Sequence, residues 1–265
     1  MDVSSRLIEL VNRVKPVEHP MHLEGPADGA ALSEVELEEL WQLVDRHVDK
    51  ERAAALEAIR QCEFVYRYRD DKGRVRAMSC YWHLNVEVGG TEYTVLHGKW
   101  VIYDKIARGR SLPEVCSLDA FTRLRLRYPT NEIFLISRIA TFNSYLLLAR
   151  NIRATYPNRR FETPAEVRQV QDAAMRELYG DAYDAERGIF RGDGEMKYCE
   201  GAAWEPEVLS DPDIAAYLDF NPGQARGDTL VVTCRCDAAA FAEVTWKMLR
   251  RYARRLRRRR RVLAS

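Results

Sequence analysis

Apolar and polar residues recur with a helical period over the stretch that begins at Ser33. Apolar positions spaced three and four apart between Val35 and Val48 predict an amphipathic helix. The sequence Ser-Glu-Val-Glu at its start predicts a capping box, in which Ser33 caps the first turn and Glu36 reaches back to the Ser33 amide. A second helix is predicted over about residues 50–62.

The first 32 residues have a weaker pattern. Residues 4–14 predict a short helix, and the following residues 16–31 are rich in proline and glycine, which predicts an extended arm or loop. We therefore expect an N-terminal arm over residues 1–32, ahead of a folded domain that begins at residue 33.

An alternation of apolar and polar residues replaces the helical period at residue 63 and predicts strands. The segments 63–69 and 74–88 flank the turn Asp-Asp-Lys-Gly and predict a hairpin. After a Gly-Gly turn, residues 91–104 predict the next strand, in which Gly98 marks a bulge. The pattern then predicts a helix, a strand and a helix, over residues 112–127, 132–140 and 143–157.

The last part of the chain continues this mixture of helices and strands. Thr163 as cap and Pro164 in the first turn predict a helix that ends at Gly180. A hairpin is predicted around the Gly-Asp-Gly sequence 192–194. A short helix with a turn, a strand and a final helix follow over residues 210–223, 228–236 and 237–256. This order predicts a mixed α+β domain, with a mostly antiparallel sheet flanked by helices and one parallel crossover.

Composition places the chain among globular proteins. The 265 residues are 46% hydrophobic and 10% aromatic, which predicts a packed core. No run of about 18 apolar residues is present, and the first residues lack the apolar segment of a signal peptide, so we expect a cytoplasmic protein. None of the 6 cysteines forms C-x-x-C, and His19 and His22 have no cysteine nearby, so we expect free thiols and no metal site.

The net charge of +1 conceals an acidic body and a basic C-terminal segment. Residues 246–265 hold ten basic residues and no acid, so the rest of the chain carries a net charge of −9. Apolar residues, among them Trp246, Leu249 and Tyr252, interleave with the arginines. This pattern fits an amphipathic helix on an anionic membrane surface, but also a nucleic acid, an acidic carrier protein or the acidic body itself as partner.

A basic loop joins the predicted strand 91–104 to the predicted helix 112–127. It contains Arg108, Gly109, Arg110 and Ser111. A helix start offers unpaired amides and the positive end of the helix dipole, and arginines add fixed charge, so these residues are candidate phosphate ligands. A solvated surface turn is the alternative.

The order of elements around this loop resembles the Gcn5-related N-acetyltransferase (GNAT) fold over roughly residues 33–161. In that family a strand leads into an Arg/Gln-x-x-Gly-x-Gly/Ala loop that binds the pyrophosphate of acyl-coenzyme A, and the next strand separates from its neighbour to form the thioester cleft. Arg108, Gly109 and Arg110 match part of that loop, but the second glycine or alanine is absent. The chain is therefore similar to divergent members, the N-acyl amino acid synthases and acyl-homoserine-lactone synthases, which use longer acyl groups, often carried on acyl-carrier protein.

The resemblance implies a tyrosine that protonates the departing thiolate from the helix after the separated strand. Tyr145 and Tyr156 are the candidates in the predicted helix 143–157. The alternative is that their rings are buried for packing, with the hydroxyl in contact with water.

Acyl transfer to an amine also requires a base. His83 and His97 lie on predicted strands and are candidates, because a neutral imidazole accepts a proton near pH 7. Glu132, at the start of the strand 132–140, is a further candidate. A structural histidine is the alternative at both histidine positions.

Three polar residues are candidate ligands for the acceptor. Asn143 stands at the start of the predicted helix 143–157, where it is also the expected cap. Asn221 and Asp228 belong to the loop 220–228, and Asp228 is suited to engage an ammonium group. The alternative for this loop is a turn in which Asn221 bonds to its own backbone and Gly223 takes a positive φ.

These observations predict an acyltransferase domain over residues 33–245, followed by a basic C-terminal helix or tail over 246–265. The expected reaction moves an acyl group from a thioester of coenzyme A or acyl-carrier protein to an amine or a similar small acceptor, without a permanently bound cofactor. The alternative is a non-enzymatic protein that binds nucleic acid or an anionic membrane through the arginine-rich tail, with a peripheral location at the membrane.

Overall fold

A computed structural model describes residues 21–107, 112–191 and 210–264. Within these ranges the strands are Met21–Ala27 (β1), Phe64–Asp70 (β2), Val75–Val88 (β3), Thr91–Tyr103 (β4), Glu132–Ile139 (β5), Thr155–Tyr156 (β6), Tyr183–Asp184 (β7), Ile189–Phe190 (β8) and Thr229–Arg235 (β9). The α-helices are Glu34–Asp45 (α1), Arg52–Arg60 (α2), Leu112–Arg127 (α3), Phe142–Ala149 (α4), Ala165–Tyr179 (α5), Pro212–Phe220 (α6) and Ala238–Ala264 (α7).

The strands form one sheet in the order β1-β2-β3-β4-β5-β9-β8-β7, with β6 also paired to β9. Neighbouring strands are antiparallel except β4 and β5, which are parallel. Because a hairpin can join only antiparallel strands, the parallel pair needs a crossover, and α3 provides it. The predicted α+β fold with a mostly antiparallel sheet flanked by helices is confirmed.

The capping box predicted at the start of α1 is present. The Ser33 hydroxyl accepts a hydrogen bond from the Glu36 amide at 3.3 Å, and the Glu36 carboxylate accepts one from the Ser33 amide at 2.9 Å. The Ser33 amide, together with the Arg67 guanidinium, lowers the pKa of Glu36 to about 2. This carboxylate therefore stays charged at neutral pH and keeps the first turn of α1 closed.

Helices cover both faces of the sheet. Along β5, Ile133 and Leu135 belong to one hydrophobic cluster, and Phe134 and Ile136 belong to another. Because successive side chains of a strand point to opposite faces, the two clusters lie on opposite faces. Face A is the face of Phe134 and Ile136, covered by α1, α2 and α5, and face B is the opposite face, covered by α3, α4 and α6.

The segment 16–31, predicted as an extended arm or loop, includes a strand of the sheet. Residues of β1 pair antiparallel with β2, from Met21 opposite Asp70 to Ala27 opposite Val65. Met21 and Leu23 alternate with His22 and are buried, so a short apolar alternation outweighed the proline and glycine around it. Residues 1–20, including the predicted helix 4–14, lie outside the described residues.

The predicted helix 143–157 is wrong at both ends. α4 begins at Phe142 with Thr141 as its cap, since the Thr141 hydroxyl accepts a hydrogen bond from the Ser144 amide at 3.4 Å. Asn143 is therefore not the cap. The helix ends at Ala149, and Tyr156 belongs to the short strand β6. A residue before proline is biased toward extended backbone, in agreement with the place of Tyr156 in a strand.

One further boundary differs from prediction. α5 begins at Ala165 with Pro164, not Thr163, at the cap position, although Gly180 ends it as expected. A hairpin that was not predicted is formed by β7 and β8, with its turn at residues 185–188. The hairpin predicted around the Gly-Asp-Gly sequence 192–194 lies outside the described residues.

An ion-pair network joins α6 to the chain around β6. Asp213, in the first turn of α6, accepts hydrogen bonds from Arg159 at 2.6 Å and Arg150 at 3.0 Å, and Arg160 lies at 3.3 Å. Burial acts to raise the pKa of Asp213, but the hydrogen bonds from Arg159 and Arg150 lower it below its usual range. Asp213 therefore stabilises the segment that follows α4.

The basic C-terminal segment is helical and continues from the folded domain without a break. At its start Phe241 packs against Phe121 of α3, with ring centres 5.6 Å apart. Lys247 donates hydrogen bonds to the carbonyl of Asn151 at 2.9 Å and to its α7 neighbour Glu243 at 2.6 Å. Among the described residues, no helix combines the length and the apolar composition that a membrane crossing requires.

Candidate active site

The parallel strands β4 and β5 separate partway along their length. They pair from Tyr93 opposite Glu132 to Gly98 opposite Ser137, and no pairing between them is found beyond that point in the described residues. β4 continues to Tyr103 beside β3, while the end of β5 stays paired with β9. The opening between β4 and β5 beyond Gly98 and Ser137 is termed the fork. Backbone groups that face the fork have left the sheet ladder and can hydrogen-bond a ligand.

The two strands approach closely where the fork begins. A β-carbon placed on Gly98 would lie 2.4 Å from the Ser137 hydroxyl oxygen, so glycine allows this close approach. On the other side of β4, the register with β3 shifts by one residue, because Tyr81 pairs with Gly98 and Cys80 pairs with Trp100. Lys99 is the extra residue of this bulge. The sequence predicted a bulge at Gly98, and the structure has this bulge at the next residue, Lys99.

Two cations, Lys99 and Arg138, follow directly after the last paired residues of the fork. Lys99 Nζ lies 5.7 Å from the ring centre of Trp82 and 5.6 Å from that of Tyr179. The Arg138 guanidinium carbon lies 5.1 Å from the Tyr179 ring centre and 3.5 Å from that of Phe190. Aromatic rings therefore surround both cations, and the Tyr179 ring contacts both of them. This arrangement lies on face A, because Tyr179 ends α5.

His97, a predicted base, belongs to the same cluster. It is fully buried, and its Nδ1 lies 3.1 Å from the Ile136 carbonyl oxygen, which can only accept a hydrogen bond. Nδ1 therefore carries the proton, and Nε2 accepts a hydrogen bond from the Tyr179 hydroxyl at 2.7 Å. Burial, together with the charges of Lys99 and Arg138, lowers the pKa of His97 to about 3. The ring is consequently neutral at pH 7.

His83, the other candidate base, lies apart from this cluster. Its Nδ1 donates to the Glu63 carboxylate and its Nε2 lies 3.0 Å from the Tyr128 hydroxyl. His83 pairs across β3 and β4 with Leu96, a residue of the face B cluster. Both ring nitrogens of His83 are thus engaged, on the face opposite His97.

Tyr145 lies in α4, the helix that follows the separated strand. Its side chain is buried against Tyr217 and Phe220 on face B, with ring centres at 5.6 and 6.4 Å, and its hydroxyl donates to the Pro157 carbonyl at 3.2 Å. Burial raises the pKa of Tyr145 to about 12, so the hydroxyl carries its proton at neutral pH. Tyr145 and His97 therefore lie on opposite faces of the sheet, one on each side of β5.

Tyr156 is not in the same helix as Tyr145. It lies in β6, where it pairs with Thr233 of β9, and its ring packs against Phe161 at 5.6 Å. Glu132 is also distant from the fork. It begins β5, forms an ion pair with Arg235 at 2.5 Å, and lies about 17 Å along the strand from Ser137 at the usual rise per residue.

The structure does not bring the candidate acceptor ligands to the fork. Asn143 is exposed in the first turn of α4. Asn221 is fully buried at the end of α6, and its side-chain amide donates to the Asp228 carbonyl at 2.9 Å. The Asp228 carboxylate folds over Gly223, where a β-carbon would lie 1.7 Å from its oxygen. Loop 220–228 is thus a self-bonded turn, but its positive φ is at Gly227 and not at Gly223.

The predicted phosphate ligands Arg108, Gly109, Arg110 and Ser111 lie outside the described residues. The elements on either side of them are as expected: β4 ends at Tyr103 and α3 begins at Leu112. Within the described ranges, no group of three His, Cys, Asp or Glu side chains is arranged to hold a metal ion. The five described cysteines, 62, 80, 116, 234 and 236, are free thiols.

A cavity of about 530 Å³ lies beside β9. The loop from Pro157 to Thr163 forms one side, and Arg168 and Gln171 of α5 form another. The cavity reaches Phe220, which packs against Tyr145. Neither Tyr145 nor Lys99 is among the residues that line it.

Sequence reasoning did not select Lys99, Arg138, Trp82 or Tyr179. A signal was present for the two cations, because each interrupts a strand that is otherwise apolar, in Leu-His-Gly-Lys-Trp and in Leu-Ile-Ser-Arg-Ile. Nothing local indicated that both would point to the same face. Their meeting depends on the parallel register of β4 with β5 and on the bulge at Lys99.

No protein-family model and no curated protein matches the chain. Solved structures match parts of it. A conserved protein of unknown function from Enterococcus faecalis, described as a probable N-acyltransferase, is similar over 48% of this chain and 31% of its own length, with 12% sequence identity and a TM-score of 0.37. This chain thus spans about a third of that protein.

Two further matches have similar extents. A GNAT family N-acetyltransferase from Escherichia coli in complex with CoA is similar over 46% of this chain and 63% of its own, at 15% identity and a TM-score of 0.32. The Saccharomyces cerevisiae N-myristoyltransferase with bound myristoyl-CoA is similar over 44% of this chain and 28% of its own, at 10% identity and a TM-score of 0.35. The strand order and the fork described above rest on the pairings of this chain's own strands.

Proposed function

We propose that the protein is an acyltransferase that moves an acyl group from a thioester of coenzyme A or acyl-carrier protein to an amine or a similar small acceptor. The observation that carries this proposal is the fork between β4 and β5, in a strand order that the GNAT resemblance implies. A fork in a sheet supplies a narrow cleft with unpaired backbone groups on both sides, which suits an extended thioester arm. The more specific likeness to N-acyl amino acid and acyl-homoserine-lactone synthases is part of the same proposal.

The proposed reaction uses backbone groups at the fork and the Tyr145 side chain. The amine nitrogen attacks the thioester carbonyl carbon, and backbone N–H groups at the fork stabilise the oxyanion. The carbon–sulfur bond then breaks, and the thiolate takes a proton from Tyr145, whose hydroxyl is protonated at neutral pH. The proton lost by the amine leaves to water or to another base, because both ring nitrogens of His97 are already hydrogen-bonded and its pKa is lowered to about 3. The products are an amide and a free thiol.

The donor's phosphates are proposed to bind at Arg108, Gly109, Arg110 and Ser111, between β4 and α3. The start of α3 at Leu112 supports this part of the proposal, because a helix of that length presents unpaired amides at its first turn.

Thiol release from a panel of donors tests the function. The purified protein is incubated with acetyl-CoA, myristoyl-CoA and an acyl-carrier protein thioester, each with a mixture of small amines. Free thiol is measured with a chromogenic disulfide, and the amide is identified by mass spectrometry. Amide formation with any donor supports the proposal, and its absence with all donors and acceptors in a folded protein rejects it.

Variants at the start of the fork test where the donor binds. Gly98→Ala brings a methyl group against the Ser137 hydroxyl, whereas the double variant with Ser137→Ala leaves a 3.5 Å contact to the remaining β-carbon, which is ordinary packing. The double variant should therefore fold like the parent while its added methyl narrows the fork. We expect weaker donor binding in the double variant and parent-like binding in Ser137→Ala alone. Parent-like donor binding in the double variant would place the donor elsewhere.

A second function, docking on an anionic partner through α7, is favoured by one observation. Trp246 is 62% exposed and Leu249 is 45% exposed, and both lie in the segment 246–265 that holds ten basic residues and no acid. Large apolar side chains beside basic ones suit an anionic surface with an apolar interior. Docking and acyl transfer are compatible functions of one chain.

A further inference from the structure

The cavity beside β9 lies where two short strands share one edge of β9 without meeting. β5 occupies the other edge, so β6 pairs with residues 233–234 and β8 with residues 229–230 on this one. Val231 lies between the two pairings, and its amide donates to the Gly188 carbonyl at 2.9 Å. Because Val231 and Gly188 both line the cavity, this gap in the strand pairing forms one of its walls.

The lining of the cavity is strongly basic. Among the described residues that line it, Glu162 is the only acid, against four arginines, which gives a formal charge of +3. Glu162 forms no ion pair with any described residue. The four arginines are Arg159, Arg160, Arg168 and Arg187. Like charges held together in this way oppose one another unless an anion joins them.

Asp213, which lies behind two of these arginines, does not neutralise them. Its carboxylate accepts hydrogen bonds from Arg159 at 2.6 Å and Arg160 at 3.3 Å, but it also accepts one from Arg150 at 3.0 Å. Even with Asp211, which pairs with Arg150, two carboxylates serve three guanidinium groups. Positive charge therefore remains on the Arg159 and Arg160 side of the cavity.

α5 supplies donors on another side. Arg168 Nη1 donates to the neutral Ala185 carbonyl at 3.0 Å, and within the described ranges no carboxylate pairs with Arg168 or Arg187. Gln171, one turn further along α5, is only 4% exposed. A β-carbon placed on Gly188 would lie 3.2 Å from Gln171 Nε2 and 3.5 Å from Arg168 Nη1. The two donors therefore converge over a glycine, where a side chain would fill the space between them.

We propose that this cavity binds a phosphorylated small molecule with an apolar or aromatic body. A phosphate ester carries a charge of about −1.5 to −2 at pH 7 and three acceptor oxygens, so it can engage several guanidinium groups at once. Pro157, Phe161 and Phe220 also line the cavity and supply apolar contacts for the body of the ligand. The volume of about 530 Å³ is typical of sites for small molecules, which excludes a macromolecule as the buried occupant.

The inference does not rest on the proposed acyl transfer. The donor's phosphates are proposed to bind at the loop that follows β4, whereas this cavity lies at β9, and β5 separates β4 from β9 in the sheet. The cavity is therefore a second anion site, whose ligand is distinct from the thioester donor.

Three probes test the inference by calorimetric titration: 1-naphthyl phosphate, 1-naphthol and inorganic phosphate. We expect the parent to bind 1-naphthyl phosphate more tightly than either of its parts. Arg168→Met and Arg187→Met should each weaken this binding by about ten- to a hundredfold, the range for hydrogen bonds to a charged group. Arg187 is exposed, so its variant should keep the fold even if Arg168→Met does not. Arg176→Met, the matched control, removes an exposed arginine of α5 that does not line the cavity and should keep the parent affinity.

The donor loop is the competing site for the probe. Arg108→Ala with Arg110→Ala should leave the affinity for 1-naphthyl phosphate unchanged. If that double variant loses the probe while Arg168→Met and Arg187→Met retain it, the phosphate binds at the donor loop and the inference is overturned. Absence of binding to the parent, or equal affinity for inorganic phosphate alone, overturns it as well. A failure of acyl transfer leaves it intact, because the titration needs no turnover.

Discussion

The substitution Tyr145→Phe removes one oxygen atom from a buried side chain and separates two roles for the hydroxyl. The ring contacts with Tyr217 and Phe220 remain, because phenylalanine fills the same space. The hydroxyl makes one neutral hydrogen bond, to the Pro157 carbonyl at 3.2 Å, so its loss should lower the free energy of unfolding by only about 1 kcal/mol. As the proposed general acid, however, its loss should lower kcat by about a hundredfold.

The dependence on the leaving group distinguishes acid catalysis from structural support. An alkyl thiolate benefits from a proton as it departs, whereas an aryl thiolate is stable enough to leave without one. We therefore measure thiol release by the parent and Tyr145→Phe with an alkyl and an aryl thioester of the same acyl group. The deficit of about a hundredfold should appear with the alkyl thioester and largely vanish with the aryl thioester. Tyr156→Phe, at a half-buried tyrosine in β6, is the matched control and should behave like the parent.

The reasoning would be refuted by a Tyr145→Phe protein that keeps the parent kcat with the alkyl thioester while it loses about 1 kcal/mol of stability. The hydroxyl would then support Pro157 and nothing more. An equal deficit with both thioesters would also contradict acid catalysis, since a displaced helix α4 slows every donor alike.

Three further predictions concern the donor site, the tail and acid stability. Arg108→Ala with Arg110→Ala should weaken donor binding by about 2–4 kcal/mol in calorimetry, through loss of charge-assisted phosphate contacts, and unchanged affinity for both acyl-CoA and acyl-carrier protein would remove the phosphate site. Ending the chain after Arg254 should leave the melting temperature nearly unchanged but weaken binding to anionic vesicles or nucleic acid, and the parent's binding should fall as salt rises; a large drop in melting temperature would mean that the tail arginines pair with the acidic body. Asp213→Asn should cost about 1–2 kcal/mol of stability at pH 7, because the arginines around it are 39–48% exposed and partly screened. The folded-state pKa of Asp213 is depressed, so the parent holds this stability above the usual aspartate pKa and loses it as pH falls through the folded value; urea unfolding of both proteins from pH 7 to 3 should show the difference shrinking, and a constant difference would contradict the ion-pair account.

The sequence was informative where local chemistry decides structure. Ser33 and Glu36 form the predicted cap because the two side chains need only each other's amides. The strands around the bulge were predictable from their alternation, and Gly98 from its interruption of the pattern. These features depend on residues close in the chain, so their patterns can be read without the fold.

Prediction was weaker where distant segments decide structure. Thr141 caps α4 in place of Asn143, although cap preferences rank asparagine above threonine. β6 exists only because β9 lies beside it, and Tyr156 was assigned to a helix for lack of that information. The cluster of Lys99 and Arg138 requires the register of two parallel strands connected through α3. Ion pairing and burial across such distances leave no periodic trace in the sequence.

The position of β9 has a consequence for the synthesis of the chain. β5 lies between β4 and β9, and β9 begins only at Thr229, long after β5 has been made. A nascent chain on the ribosome can form the meander of β1 to β4 early, but the outer edge of β5 stays open until the last strand emerges. An open, apolar strand edge attracts other chains. Truncated products that lack β9 therefore leave β5 without a partner strand on one side. We expect such products to be captured by chaperones or to aggregate.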